Sequence, residues 1–448
     1  MAYHVKHSQI RVVASAVLAF AGVVGFMSPT TAETDTFPPL VVGSVFPTAL
    51  NSSLASAAGI SAALEKSLSD NPLNKSYSLL VVDPVTQDVL YSKNQDVSLK
   101  PASTLKILTA IAALKVLGSQ TRFTTSVWRE GTVLTLVGGG DPTLVSGTPK
   151  NWRGKPAGVE QPPSLDQLAD LINQEVTDRG TPFVLNFDAS YFTGKSTADS
   201  WSPEYVPDGE VSLVTGLSVD FGVTRQSTPY GDTGLWAAQY LARALTARGL
   251  PTTVGESMKP AMGATDIVHV ESTTVGGIVE RMLTTSNNTM AEFLAHHIGR
   301  AATDSSFEGS ALAEMQALSQ LGIDMNNVEL HDGSGLSLRN RVLARTLMSA
   351  LTLDQSKLDT YWYVTSGLPI AGVSGTLKDR YVNVKYGRGY VHAKTGTLSS
   401  ASSLAGEVID VDGQLLYFVF LDNGVKSGIA TRPALDQLAI SLAQCGCK

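Results

Sequence analysis

The stretch Pro101-Ala102-Ser103-Thr104-Leu105-Lys106 is followed directly by an apolar, alanine-rich run: Ile107, Leu108, Ala110, Ile111, Ala112, Ala113, Leu114, Val116 and Leu117. That run predicts a buried helix ending near Gly118. On a helix, residues three apart share a face, so the Ser103 hydroxyl and the Lys106 amine can meet. Ser103 would also sit in the first turn, where unpaired backbone N–H groups create a positive field suited to an alkoxide or an oxyanion. Serine is a weak nucleophile unless a neighbouring base takes its proton. A lysine becomes that base when desolvation or nearby positive charge lowers its pKa. Taken by itself, S-x-x-K reads more often as an N-cap serine followed by a solvated lysine, so the rest of the chain has to decide.

At 448 residues the chain exceeds one ordinary core and predicts two domains. Its 43% hydrophobic and 16% charged residues fit a globular protein. Lys6 and Arg11, an apolar stretch from Val12 to Met27, and Ser28-Pro29-Thr30-Thr31-Ala32 have the layout of a secretory signal cut after Ala32. The alternative is an uncleaved anchor, although the stretch is short for a spanning helix. Cleavage would take the net charge from −7 to −9, because residues 1–32 carry two basic and no acidic side chains. An acidic exported chain without basic runs is a poor nucleic-acid binder. The two cysteines, Cys445 and Cys447, cannot staple the fold, and a bridge across one residue would close a small strained ring. They are expected to be free or to pair between chains. The histidines lack ligand spacing, and neither a metal nor a cofactor is expected.

In chain order, 33–50 reads as a linker and 53–68 as a helix. Tyr77–Asp83 and Asp88–Lys93 read as a hairpin, as do Phe123–Arg129 and Thr132–Val137. Helices are expected over 165–176, 235–248, 278–283, 290–301, 307–321, 341–353 and 429–443. Strands are expected at Phe183–Asp188, 267–270 and 390–397, an extended run at 211–221, and a closing hairpin at 404–411 and 414–421. Two β-rich ends bracketing a helical middle suggest an α+β fold with one sheet built from both chain ends.

Three motifs occur in order: Ser103-x-x-Lys106, Ser286-x-Asn288 and Lys394-Thr395-Gly396. Each is weak in isolation, and the trio is the mark of penicillin-binding proteins and serine β-lactamases. With Gly140-Asp-Pro-Thr-Leu144, Ala291-Glu292, Asp332-Gly-Ser-Gly-Leu-Ser337 and Gly375-Thr-Leu377, the chain from about residue 50 onward resembles the D-alanyl-D-alanine carboxypeptidase/endopeptidases, low-molecular-mass penicillin-binding proteins whose catalytic domain carries an insertion. The resemblance implies an antiparallel sheet flanked by helices. It divides the chain into a catalytic domain, 51–138 with 263–448, and an inserted domain, 139–262.

The resemblance also assigns tasks. Ser103 attacks a penultimate D-alanine carbonyl and forms an acyl-enzyme, with Lys106 taking the proton. Ser286 relays that proton to the leaving amine, and Asn288 orients Lys106 and the substrate amide. Lys394, with Thr395, Gly396 and Thr397, holds the terminal carboxylate, and the N–H groups of Ser103 and Thr397 form the oxyanion hole. Asp188 matches the family's acidic residue for the ammonium of a diaminopimelate side chain. Where the family often has an arginine for the carboxylate of that side chain, this chain has Leu338, with Arg339 next to it. A modified, for example amidated, stem would suit that departure. The partners so implied are peptidoglycan stem peptides, with D,D-cross-linked ones as a second class, and β-lactams as covalent inhibitors. The rivals are a serine β-lactamase, for which the E-x-x-L-N string of a deacylating base is missing, and a catalytically idle wall-binding protein.

Overall fold

The computed structural model describes residues 55–71, 73–74, 76–147, 160–222, 231–356 and 358–447. The expected signal (1–32) and linker (33–50) lie outside them. In chain order the elements are α1 (Ala57–Asp70), β1 (Ser76–Val82), β2 (Val89–Lys93), α2 (Lys106–Leu117), β3 (Thr124–Glu130), β4 (Val133–Val137), α3 (Leu165–Glu175), β5 (Phe183–Asp188), α4 (Thr233–Ala247) and β6 (Thr252–Ser257). There follow β7 (Thr265–Glu271), α5 (Val275–Thr285), α6 (Asn288–Ala301), α7 (Phe307–Gln320), α8 (Ala344–Ser356), α9 (Leu358–Gly367), β8 (Val391–Leu398), β9 (Ala401–Ile409), β10 (Leu415–Asn423) and α10 (Gly428–Ala443). The fold is α+β.

One antiparallel sheet runs β2-β1-β10-β9-β8, so its centre joins the start of the described chain to its end: Ser76 pairs with Asn423 and Val82 with Tyr417. The run Leu415-Leu-Tyr-Phe-Val-Phe-Leu421 has no polar alternation because β10 is central and covered on both faces. Leu416, Phe418 and Phe420 pack with α1 and α10 on one side. Tyr417, Val419 and Leu421 pack on the other with α2, which is buried all round by α5, α6, α7 and α8.

A second sheet runs β6-β5-β4-β3-β7. β4, β5 and β6 are parallel, joined through α3 and α4. Phe183, Leu185 and Phe187 face those helices, whereas Val184 points out and is 40% exposed. The bounds expected for an inserted domain, 139–262, cut this sheet, because β3, β4 and β7 lie outside them. The unit that contains the whole ladder runs from Thr124 to Glu271.

The strand β6 and the helix α9 have no counterpart in the sequence reading. The run 211–221 forms no strand; it is a mostly buried irregular segment whose backbone bonds scatter, with Val214 N–H donating to Ser196 O and Gly216 N–H to Ala189 O. Cys445 and Cys447 are bonded to each other, against the expectation of free or intermolecular thiols. The turn after α10 brings their Cα atoms to 4.9 Å, within the range a disulfide needs.

Candidate active site

Ser103 lies in a 3-10 turn, Ala102–Leu105, that runs straight into α2. In a 3-10 turn, residues i and i+3 eclipse, which stacks Lys106 over Ser103. The turn is pinned at Pro101, whose carbonyl accepts the hydroxyls of Thr104 (2.7 Å) and Ser403 (2.6 Å). Ala102 is held left-handed, at φ +49°. Gly335 packs on it so closely that a Cβ there would sit 2.0 Å from the Ala102 carbonyl oxygen.

Lys106 is fully buried, and its Nζ has three neighbours: Ser103 Oγ at 3.0 Å, Asn288 Oδ1 at 2.7 Å and Ser334 O at 2.6 Å. The Asn288 orientation is fixed by its other end, since Nδ2 donates to Glu210 O at 2.7 Å. Burial pulls the Lys106 pKa down to about 7, against the attraction of Glu292, Asp332 and Glu210. Relative to its ordinary value, that is a cost on the order of 5 kcal/mol for a charged ammonium there. The buried side chains of Ile107, Leu108, Ile111 and Leu114, each contributing about 1.5–3 kcal/mol, offset it and fix the helix in place. A neutral amine has two hydrogens and one lone pair. Asn288 Oδ1 and Ser334 O can only accept, so they take both hydrogens and turn the lone pair toward the Ser103 hydroxyl.

The carbonyl of Ser334 is held from behind. Glu292, on α6, accepts Ser334 N–H (2.8 Å) and Gly333 N–H (3.1 Å) on its two oxygens, the pattern of a carboxylate. Burial and Asp332 nevertheless push its pKa up, to about 8. Asp332 accepts the N–H groups of Gly335 and Ser337, the Asn340 amide and the Trp201 indole N–H, and so closes the 332–337 loop. Beneath it, Thr109 Oγ lies 2.8 Å from Gly333 O and 3.0 Å from Glu314 Oε1. A hydroxyl has one proton and the carbonyl must receive it, so Glu314 is the donor and is a neutral acid. Burial raises its pKa well above the usual range in the same sense.

Ser286 and Asn288 sit at the joint of α5 and α6. Ser286 ends α5 in the left-handed conformation, and Asn287 caps α6. The cap is therefore Asn287, and the Ser286 hydroxyl instead accepts from Lys394 Nζ at 2.7 Å. Lys394 is fully buried on β8 and also donates to Thr395 O at 2.8 Å. Burial and the Lys106 charge pull its pKa well down. Gly396 faces Ser103: a Cβ there would lie 2.9 Å from Ser103 N and 2.1 Å from Ser403 Oγ, so only glycine lets the strand come this close.

Together these groups border a cleft of about 440 Å³ lined by Ser103, Ser286, Asn288, Thr395, Thr397 and Arg432, among others. Lys106, Lys394 and Gly396 lie behind its wall. Asp188 is not among the lining residues; its carboxylate accepts Ser190 N–H at 2.8 Å in the turn after β5. Leu338 and Arg339 are exposed at the edge of the 332–337 loop. Glu210 and Arg432 border this arrangement without having been singled out from sequence, and Asp332 and Ser334 were quoted only within the 332–337 stretch. For Glu210 and Ser334 it is a backbone carbonyl that acts, which residue type does not signal.

The model of the D-Ala-D-Ala carboxypeptidase 3 (S13) family matches residues 60–235 and 230–445. The chain belongs to that family. A carboxypeptidase of Mycobacterium tuberculosis is 35% identical over 92% of this chain and 89% of its own. The D-alanyl-D-alanine carboxypeptidase of Actinomadura sp. (strain R39) is 30% identical over 82% of this chain and 81% of its own. The crystal structure of penicillin binding protein 4 from Haemophilus influenzae is 21% identical and aligns with a TM-score of 0.70 over 86% of this chain and 98% of that one. The same protein in complex with a β-lactam aligns with a TM-score of 0.66 at 21% identity, over 85% and 98%. As a member of the family, this chain is a D-Ala-D-Ala carboxypeptidase, a hydrolase of the penicillin-binding group.

Proposed function

We propose that the enzyme works by a serine acyl-enzyme mechanism on peptidoglycan stem peptides. Ser103 Oγ attacks the penultimate D-alanine carbonyl as Lys106 takes its proton. Ser286, hydrogen-bonded to Lys394, passes a proton to the leaving D-alanine, and water then releases the acyl group. The observation that carries this reading is the environment of Lys106 Nζ, where two obligate acceptors leave the lone pair facing Ser103. D,D-cross-links present the same D-alanyl carbonyl and are the second substrate class of this reading. β-Lactams acylate the same serine, and the enzyme acts outside the cytoplasm, where its substrate is. The sheet from Thr124 to Glu271 is the inserted unit, and it supports the chemistry through Glu210 O on Asn288.

The test is release of D-alanine from an acyl-L-Lys-D-Ala-D-Ala peptide. Wild type is expected to release it, with Ser103→Ala inactive and Lys106→Ala slower by ~10²–10⁴. Slow nitrocefin turnover beside rapid peptide turnover separates the enzyme from a β-lactamase. A Lys106→Ala enzyme of near-normal rate would remove Lys106 from the mechanism.

A further inference from the structure

The terminal carboxylate of a D-Ala-D-Ala substrate needs a cation in the cleft, and Lys394 is poorly placed to be it. Its side chain has no exposed surface, and its amine is directed at Ser286 Oγ and Thr395 O. The cations that do line the cleft are Lys378, Arg380 and Arg432. Arg380 is engaged through Nε (3.0 Å) and Nη2 with both oxygens of Asp436. Lys378 lies 3.8 Å from its neighbour Asp379. Arg432, one turn before Asp436 on α10, makes no ion pair among the described residues. Its one side-chain hydrogen bond runs from Nε to Thr397 Oγ1, at 3.0 Å. That bond orients the guanidinium beside the strand that carries Thr395 and Thr397. The two terminal nitrogens remain as a fork of the shape that carboxylates bind bidentately.

We propose that Arg432, oriented by Thr397, is the residue that binds the substrate's terminal carboxylate, and that Lys394 serves to hold Ser286. Burial and the Arg380 charge disfavour the Arg432 cation, against the attraction of Asp436, and a bound carboxylate would offset that. The carboxylates that also line the cleft are Asp379, paired with Lys378, and Glu210, and neither pairs with Arg432. This inference rests on the D,D-peptidase reading.

The experiment compares kcat/KM on two substrates: an acyl-D-Ala-D-Ala peptide, and a neutral thioester of the same acyl-D-alanine that lacks the carboxylate. Hydrogen bonds to a charged group correspond to roughly 10- to 100-fold here. Arg432→Gln should lose about that factor on the peptide, chiefly in KM, and much less on the thioester. Arg432→Lys keeps the charge without the fork and should fall between. Lys394→Gln should lose on both substrates alike. If Arg432→Gln lowers both equally, or neither, Arg432 is not the carboxylate site. If it fails to fold, the peptide-to-thioester ratio of Arg432→Lys decides in the same way: a ratio equal to wild type overturns the inference. A wild type inactive on both substrates overturns the D,D-peptidase reading and this inference with it; a wild type active on both, with an unchanged ratio in the variants, overturns this inference alone.

Discussion

On the proposed mechanism Lys106 works as a neutral amine, so acylation should depend on pH in a definite sense. Below the Lys106 pKa the amine carries a proton and cannot accept another. The acylation rate constant should therefore rise with pH and level off above about 7. Glu292 favours the ammonium form, so Glu292→Gln, which removes that negative charge, should move the midpoint to lower pH. It should also cost about 1–3 kcal/mol, because the amide can accept from only one of the two backbone N–H groups. A pH profile of fluorescent-penicillin acylation for both proteins checks this. A midpoint that stays put or moves upward would separate Glu292 from Lys106. At this scale the sequence was most informative where side chains act: Ser103, Lys106, Ser286, Asn288 and Lys394 all meet. Asp188 is expected from the family resemblance at the end of a strand, and in the structure its carboxylate accepts Ser190 N–H in the turn after β5.

Helix α2 follows directly on the turn that holds Ser103 and carries a polar seam along one side. Thr109 sits one turn after Lys106 and links Gly333, in the loop that holds the Lys106 acceptor, to the neutral Glu314 of α7. Because Glu314 donates, Glu314→Gln can donate from its amide to the same hydroxyl and should change stability little. Thr109→Val keeps the shape but strands Gly333 O and Glu314, which should cost about 1–3 kcal/mol. Urea unfolding of the two variants measures the difference. A costly Glu314→Gln would show that the carboxyl is ionised and that Thr109 donates to it. Continuously apolar elements, such as α2 and β10, were legible because burial on all sides governed nearly every position. The segment 211–221 was not, since its apolar residues are buried as irregular chain, Val211 and Val214 beside Phe293 and Leu336, and Leu217 and Val219 against the second sheet. The strand β6 carries polar, partly exposed residues on an edge and gives little hydrophobic pattern to read.

At the scale of the whole molecule, the sheet joining β1 to β10 was foreseeable from β-rich chain ends. The second sheet was not, because its strands come from both sides of the expected boundaries and pair in parallel across two helices. Such pairing leaves no local signature. It matters for the site because the segment between β5 and α4 brings Glu210 to Asn288 and Trp201 to Asp332, so that segment helps hold the Lys106 environment. All of these contacts converge on one claim: Ser103 is the residue that becomes acylated. Mass spectrometry of the folded protein after exposure to benzylpenicillin tests it directly. The account predicts one adduct of the whole antibiotic per chain, on the peptide that contains Ser103, and none on folded Ser103→Ala. An adduct on any other residue, or one that survives in Ser103→Ala, would contradict it.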